Sequence, residues 1–97
     1  MRFTWDLRKA ASNFRKHGVS FDEALTVFRD PLAFVLDDED HSRDEHREII
    51  IGYSILNRLL LVFFTERVED VLRLFSARLA TGQERKDYEK NARLSTT

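Results

Sequence analysis

Basic side chains near a strand–helix junction are the first residues in this sequence whose types suggest chemistry. Arg73 and Arg78 interrupt a run of residues typical of a buried strand, and alternation along that strand predicts that they point to opposite sides. Thr81 and Glu84 then form a capping box, which predicts a helix starting directly after the strand. Free N–H groups at a helix N-terminus and a nearby guanidinium suit an anion. The alternative is that both arginines only pair with neighbouring carboxylates.

The three histidines lie in two different settings. His17 ends the first predicted helix beside Lys16, where it could act as an acid or contact a phosphate. Its spacing favours the plainer role of capping the last helical carbonyls. His41 and His46 lie in the stretch 37–46, which holds six acids and one arginine. Those ligand types could bind a metal, but a metal-binding spacing is missing, and a solvated loop is the favoured interpretation.

Several classes of site are excluded by the residues that the sequence lacks. Without cysteine, the chain has no disulfide, no thiolate nucleophile and no cysteine-ligated zinc. Gly-rich phosphate loops, G-x-S-x-G elbows and H-E-x-x-H motifs are also missing from it. The remaining Lys, Arg, His and Tyr side chains suit metal-independent cleavage of RNA by its own 2′-hydroxyl. That reaction needs a proton acceptor, a proton donor and cations around the phosphorane. The composition permits this chemistry without selecting it.

Size and charge predict one domain, spanning 1–97. Of its residues, 42% are hydrophobic and 34% are charged, which is typical of a globular protein with a charged surface. Apolar runs long enough for a membrane span and the apolar core of a signal peptide are both missing, so we expect a cytoplasmic protein with no membrane partner. The acids of 37–46 leave the rest of the chain net positive, which is compatible with a phosphate-rich ligand.

Periodicity and capping residues predict eight elements in the order β-α-α-β-β-β-β-α. Asp6 and Ser20 are N-cap residues, Gly18 suits a helix end, and Pro31 stops the second helix. Strands joined by short turns imply an antiparallel meander. The expected fold class is α+β, an antiparallel sheet of about four to five strands packed against helices, with the apolar strand 58–65 at its centre. The predicted elements are strands at 3–5, 32–36, 47–54, 58–65 and from 71, and helices at 7–17, 21–29 and 81–94.

The first and last helices differ in the apolar surface they offer. The first has an apolar stripe, which predicts the side that packs on the core: Leu7, Ala10, Ala11 and Phe14. The last has only a thin apolar side, made by Tyr88 and Ala92. That helix is therefore predicted to dock loosely or to be completed by a partner.

Ordered motifs along nearly the whole chain carry a family resemblance. They are F-T-W-D near the start, N-F-R-K-H-G-V-S-F-D-E-A at 13–24, F-R-D-P-L at 28–32, D-H-S at 40–42, R-E-I-I-I-G at 47–52 and S-A-R-x-A-T-x-x-E-R-x-x-Y-E at 76–89. With them, the chain resembles the BrnT family of type II toxins, whose fold is similar to RelE-type messenger RNA endoribonucleases. The resemblance covers about residues 3–89.

The resemblance implies a bacterial endoribonuclease toxin that cleaves RNA, stops translation and needs no cofactor. It also implies a tightly bound BrnA-like antitoxin of the ribbon-helix-helix type, through which alone the complex would contact operator DNA. Lys16, His17 and Arg47 stand in the matching motifs and would hold or activate the scissile phosphate. Arg78 would stabilise transition-state charge, and Tyr88 would stack a base or assist proton transfer. The rival interpretation is a docking module for the antitoxin with little or no ribonuclease activity.

Overall fold

The computed structural model describes residues 1–95, which form a five-stranded sheet with helices on both faces. The predicted α+β class and element order are confirmed, while the likeness to RelE-type ribonucleases stays a prediction. Within the described residues, no helix is long and apolar enough to cross a membrane. The elements are β1 (Arg2–Thr4), α1 (Leu7–His17), α2 (Phe21–Ala24), a 3-10 helix (Leu25–Arg29), β2 (Phe34–Asp37), a 3-10 turn (Glu39–His41), β3 (Glu48–Tyr53), β4 (Leu59–Val68), β5 (Val71–Leu79) and α3 (Gly82–Ser95).

The sheet is mixed, so the prediction of a purely antiparallel sheet is wrong. Its strand order is β1-β5-β4-β3-β2, with β4 at the centre as predicted. The meander from β2 to β5 is antiparallel, but β1 runs parallel to β5, with Phe3 opposite Leu72. Short turns favour antiparallel pairing between consecutive strands. That rule does not apply to β1, because β1 is followed by helices and not by a short turn. Its partner β5 lies far from it in the sequence.

A β-bulge in β5 changes which face its side chains occupy. Phe75 is the extra residue, opposite the step from Phe63 to Phe64 in β4. Two residues on one strand there oppose one on its partner, so the alternation of side chains shifts by one. The residues next to Arg73 and Arg78 in the sequence belong to one core cluster: Leu72, Leu74 and Ala77. Arg73 and Arg78 therefore point away from that cluster. The two arginines therefore lie on the same face of the sheet, and the prediction that they point to opposite sides is wrong.

Two apolar clusters, one on each face of the sheet, hold the layers together. The larger lies under α1, α2 and the 3-10 helix and includes Phe21, Val27 and Leu60. The smaller lies under α3 and contains Ile51, Leu59, Leu61 and Tyr88. Burying apolar side chains on both sides of β4 explains why the sequence of that strand is almost continuously apolar.

The helix α1 packs on the sheet through Ala10 and Asn13, so the prediction that its whole apolar stripe packs on the core is wrong. Leu7 and Phe14 are 80% and 58% exposed, and the buried residue of the helix is Asn13. The side-chain amide of Asn13 donates to the carbonyl of Ala77 (2.8 Å) and accepts from the N–H of Ala77 (3.0 Å). Because β1 pairs only with the first part of β5, no strand bonds to the backbone of Ala77 on that side. The Asn13 amide makes those hydrogen bonds instead.

The helix α3 is fastened to the sheet by one aromatic residue. Tyr88 is buried and lies near the rings of Phe34 and Tyr53. Its hydroxyl donates to a carboxylate oxygen of Asp30 (2.7 Å), which also accepts from the N–H of Tyr53 (2.8 Å). Burial, together with the Asp30 carboxylate, raises the pKa of Tyr88. The thin apolar side predicted for this helix is therefore used in full by its contact with the sheet.

Candidate active site

A cavity of about 340 Å³ lies on the sheet face beside the bulge of β5. Five segments that are far apart in sequence meet there: α1, the 3-10 turn, the residue before β3, and the strands β4 and β5. Three cations against one carboxylate make its lining net positive, which suits a phosphate. The lining residues are Lys9, Asp38, His41, Arg47, Phe63, Phe75, Ser76 and Arg78.

Two cations of the cavity are held by one aromatic ring. The guanidinium carbon of Arg47 lies 3.9 Å from the centre of the Phe75 ring, and Lys9 Nζ lies 5.3 Å from it. Contacts of this kind attract a cation to the ring face. The Nε of Arg47 is buried without a hydrogen-bond partner, while its Nη2 lies 3.5 Å from Glu45. The bulge thus brings two positive charges to one side of the cavity.

The third cation is fixed by the start of α3. Arg78 donates two parallel hydrogen bonds to the carboxylate of Glu84, at 2.8 and 2.9 Å. Glu84 also accepts from the N–H of Thr81 (2.8 Å), which completes the predicted capping box. The hydrogen bonds from Arg78 lower the pKa of Glu84 to about 2, and those to Glu84 raise the pKa of Arg78. The anion expected at this helix start is therefore a side chain of the protein, and it orients Arg78.

His41 lines the cavity and is paired with a carboxylate. Its Nδ1 lies 3.0 and 3.1 Å from the two oxygens of Asp38. The Asp38 side chain is only 7% exposed, whereas the His41 side chain is 62% exposed. The Ser42 hydroxyl donates to the Asp38 carbonyl and accepts from the N–H of Arg47, which ties the turn to the start of β3. A carboxylate at Nδ1 orients the ring and leaves Nε2 to exchange a proton.

Three of the five residues predicted for the site line this cavity or the one that adjoins it. Arg47 and Arg78 line it. Lys16 lines an adjoining cavity of about 240 Å³ that also includes Phe75. His17 is exposed at the end of α1 and lies about 100° further round the helix than Lys16. The catalytic roles of these four residues stay predictions.

Tyr88, the fifth predicted residue, occupies a different environment. Its ring is in the smaller core cluster, and its hydroxyl is engaged by Asp30. A buried ring does not offer a free face for a base, and its raised pKa makes the phenol a poor proton donor at neutral pH. The position of Tyr88 assigns it to packing α3 on the sheet.

Sequence reasoning missed the other titratable groups of the cavity. Asp38 and His41 were placed in a solvated loop, although their D-x-x-H spacing fits one tight turn and overlaps the D-H-S motif. Lys9 precedes Lys16 by two helical turns, so both lie on one side of α1. Those two spacings are the signals that could have identified the missed residues.

A group of possible metal ligands lies outside the cavity. The ligand atoms of Asp37, His46 and Glu48 lie within 4.8 Å of one another. His46 Nε2 is 3.2 Å from Asp37 and 3.9 Å from Glu48, so contacts between the imidazole and the two carboxylates account for the arrangement. Asp37 and Glu48 pair across β2 and β3, next to residues that line the cavity-bearing face, and so project to the opposite face.

Comparison with known proteins agrees with the resemblance read from the motifs. Residues 5–84 match the family model described as the ribonuclease toxin BrnT of type II toxin–antitoxin systems. The crystal structure of the Brucella abortus ribonuclease toxin BrnT has the same fold, with a TM-score of 0.65 and 24% sequence identity over 84% of this chain and 97% of that one. No curated protein matches the chain. Because the family model spans most of the sequence, the chain belongs to the BrnT ribonuclease toxin family of type II toxin–antitoxin systems.

Proposed function

We propose that this toxin cleaves RNA in the cavity around His41, without a metal ion, by attack of the 2′-hydroxyl on the adjacent phosphate. The observation that supports this most is the pairing of His41 with Asp38 in the same cavity as three cations. Intramolecular cleavage of RNA needs one proton acceptor, one proton donor and stabilisation of negative charge on the phosphorane. The cavity lining contains a side chain suited to each of these tasks.

The proton transfers are divided between the two sides of the cavity. His41 Nε2 accepts the proton of the 2′-hydroxyl while the 2′-oxygen forms its bond to phosphorus. Asp38 stabilises the resulting imidazolium through Nδ1. The bond from phosphorus to the 5′-oxygen breaks, and that oxygen takes a proton from the ammonium of Lys9. The products are a 2′,3′-cyclic phosphate and a 5′-hydroxyl, so the charges and protons balance.

The two arginines stabilise the charge that develops on the phosphorane. Arg78 is oriented by Glu84, and Arg47 is held on the Phe75 ring, so neither has to reorganise when the charge appears. Removing one such group typically costs about 100-fold or more in rate. Lys16, in the adjoining cavity, would hold a flanking phosphate of the RNA.

Cleavage of a defined oligoribonucleotide by the purified protein tests this function. We expect cleavage to continue in EDTA and to produce 2′,3′-cyclic phosphate ends. A single 2′-deoxy substitution on the 5′ side of the cleaved bond should abolish cleavage there, since it removes the nucleophile. Products with 5′-phosphate ends, or a rate that falls to background in EDTA and returns with a divalent cation, would contradict the mechanism.

In the cell, this activity would stop translation by destroying messenger RNA. Its neutralising partner would be a BrnA-like, ribbon-helix-helix antitoxin, and operator DNA would be contacted only through that partner. One observation favours the rival function, a docking module without ribonuclease activity: Leu7 and Phe14 leave an apolar stripe of α1 open to solvent. Producing the chain alone distinguishes the two, because the ribonuclease arrests growth and fragments RNA, whereas the docking module leaves both unchanged.

A further inference from the structure

A second, wider groove lies next to the cavity on the same face of the sheet. It has a volume of about 590 Å³ and runs between α3 and the 3-10 turn. The polar side chains of Asp87 and Lys90 on α3 form one wall, and Asp40 belongs to the other. Its floor is apolar and consists of Phe34, Leu36, Ile49, Ile51, Leu61 and Phe63.

The groove is continuous with the proposed cleavage site. Asp38, His41, Phe63 and Arg78 line both the cavity and the groove. A nucleotide whose phosphate lies between His41 and Arg78 therefore has the groove directly beside it. The guanidinium of Arg78 also lies over the ring of Phe63, 5.8 Å from its centre, so the phosphate-binding and apolar parts are joined at that residue.

We propose that this groove binds a nucleobase adjoining the scissile phosphate and so determines where the toxin cuts RNA; this inference rests on the proposed ribonuclease function. A base has two flat, weakly hydrated faces and a polar edge. The aromatic and aliphatic floor suits the faces, because stacking on such side chains accepts any base. Carboxylate and ammonium groups on the walls suit the edge, where bases differ in donors and acceptors. Stacking on the floor would provide affinity, and contacts with the walls would provide preference for particular bases.

Two neighbouring residues of β2 allow a matched test. Leu36 and Val35 are 49% and 47% exposed, but they point to opposite faces of the sheet. Leu36 pairs with Ile49 and lines the groove, whereas Val35 pairs with Ile50, which belongs to the larger core cluster on the other face. Leu36→Trp places a bulky ring in the groove, and Val35→Trp places the same ring outside it.

A second pair tests the edge of the base without filling the groove. Asp87 lines the groove from α3, while Glu89 is exposed and lies about 200° away round the helix. Asp87→Asn changes one acceptor into a mixed donor and acceptor, and Glu89→Gln makes the same change outside the groove. Both variants keep the size of the side chain, so they should fold like the parent protein.

The experiment maps the cut sites of all four variants on one RNA library of random sequence. It also measures binding of a 2-aminopurine oligonucleotide that carries a 2′-deoxy group at the cut site and so resists cleavage. We expect Leu36→Trp to raise the Kd of the 2-aminopurine oligonucleotide, measured by fluorescence quenching, about tenfold. The same variant should change the cut-site distribution. Asp87→Asn should change the distribution with a smaller loss of binding. Val35→Trp and Glu89→Gln should match the parent in both measurements.

The outcomes separate this inference from the proposed function. Suppose that the parent protein cleaves RNA and that all four variants keep its cut-site distribution. This result would overturn the nucleobase groove and leave the ribonuclease function standing. Equal effects of Leu36→Trp and Val35→Trp would also overturn it, since only one of them alters the groove. Failure of the parent protein to cleave any RNA would overturn the proposed function, and the inference with it.

Discussion

The guanidinium of Arg47 lies 3.9 Å from the centre of the Phe75 ring, and Phe75 is the residue that a bulge inserts into β5. An irregularity of the backbone thus sets the position of a charge. Without the extra residue, the side chains after position 75 would exchange faces, and Arg78 would leave the cavity. One bulge therefore provides the ring that holds Arg47. It also sets the alternation of side chains that keeps Arg78 on the face of the cavity.

Replacing the Phe75 ring should reduce RNA cleavage more than stability. In Phe75→Leu, Arg47 and Lys9 both lose the aromatic face that holds them, and each such contact contributes about 0.5–2 kcal/mol. We expect kcat/KM for a defined oligoribonucleotide to fall by about tenfold or more. Phe75→Tyr keeps the ring and should retain most activity. Equal activity of the leucine and tyrosine variants would show that the ring does not position the cations.

Arg47 has a natural control in Arg67, since both arginines pair with Glu45. Arg47→Ala should lower kcat by about 100-fold, because it removes a preorganised cation from the phosphate. Arg67 lines a different surface region, and Arg67→Ala should leave kcat nearly unchanged. Single-turnover rates of the two variants on one oligonucleotide compare them directly. Similar losses in both would assign the effect to the Glu45 ion pairs and not to the cavity.

His41 is compared best with His46, since both side chains are 62% exposed and both lie beside an aspartate. His41→Asn should lower the cleavage rate by about 100-fold or more, because the 2′-hydroxyl loses its proton acceptor. Asp38→Asn should lower it by a smaller factor, because the ring remains but loses its orienting carboxylate. His46→Asn should cleave at the parental rate. Full activity of His41→Asn would remove this residue from the mechanism.

The Arg78–Glu84 pair predicts how stability depends on pH. The pKa of Glu84 is lowered from 4.5 to about 2, so its carboxylate contributes stability that is complete above about pH 4.5 and is lost as the pH falls towards 2. The difference in unfolding free energy between the parent and Glu84→Gln should be about 1 kcal/mol near neutrality, since solvent partly screens the pair. Denaturant titrations should show that difference shrinking between pH 4.5 and 2. Glu89→Gln is the control, and a Glu84→Gln difference that does not change with pH would contradict the prediction.

Tyr88→Phe separates the packing role of this residue from the catalytic role predicted from the motifs. The variant loses the hydrogen bond to Asp30, which should cost about 1–2 kcal/mol of unfolding free energy. RNA cleavage by the folded protein should be unchanged, because the hydroxyl is buried away from the cavity. Thermal unfolding and single-turnover cleavage measure the two properties separately. Parental stability combined with lost cleavage would restore Tyr88 to the site.

Local signals in the sequence predicted where the helices begin, although the predicted helix 21–29 is α-helical only over Phe21–Ala24 and continues as a 3-10 helix. Asp6, Ser20 and Thr81 begin helices as predicted because a capping side chain bonds to backbone groups within a few residues. Gly18 ends α1 in the left-handed conformation for a similarly local reason. The parallel pairing of β1 with β5 was missed because it joins distant parts of the chain. The burial of Asn13 was also missed, since its hydrogen-bond partner Ala77 lies far away in the sequence.

Two residues of the candidate cavity were anticipated from the family motifs. Arg47 and Arg78 stand in the motifs, and the fold brings them to one cavity. The contributions of Lys9, Asp38 and His41 depend on a bulge and on a tight turn inside an acidic stretch. Neither feature has a periodic pattern, and an acidic stretch is usually solvated. Net charge therefore indicated compatibility with a phosphate-rich ligand but not which side chains line the cavity.

The amide of Asn13 at Ala77 has a consequence for self-association. A strand with unpaired N–H and C=O groups is a template for strands of other molecules, which is how sheets extend into aggregates. By occupying both groups of Ala77, Asn13 takes the position of a neighbouring strand beyond the part of β5 that pairs with β1. At the opposite edge of the sheet, a strand that added to β2 would lie beside the charged side chain of Asp37. Asn13 thus removes one site at which a second molecule could add a strand.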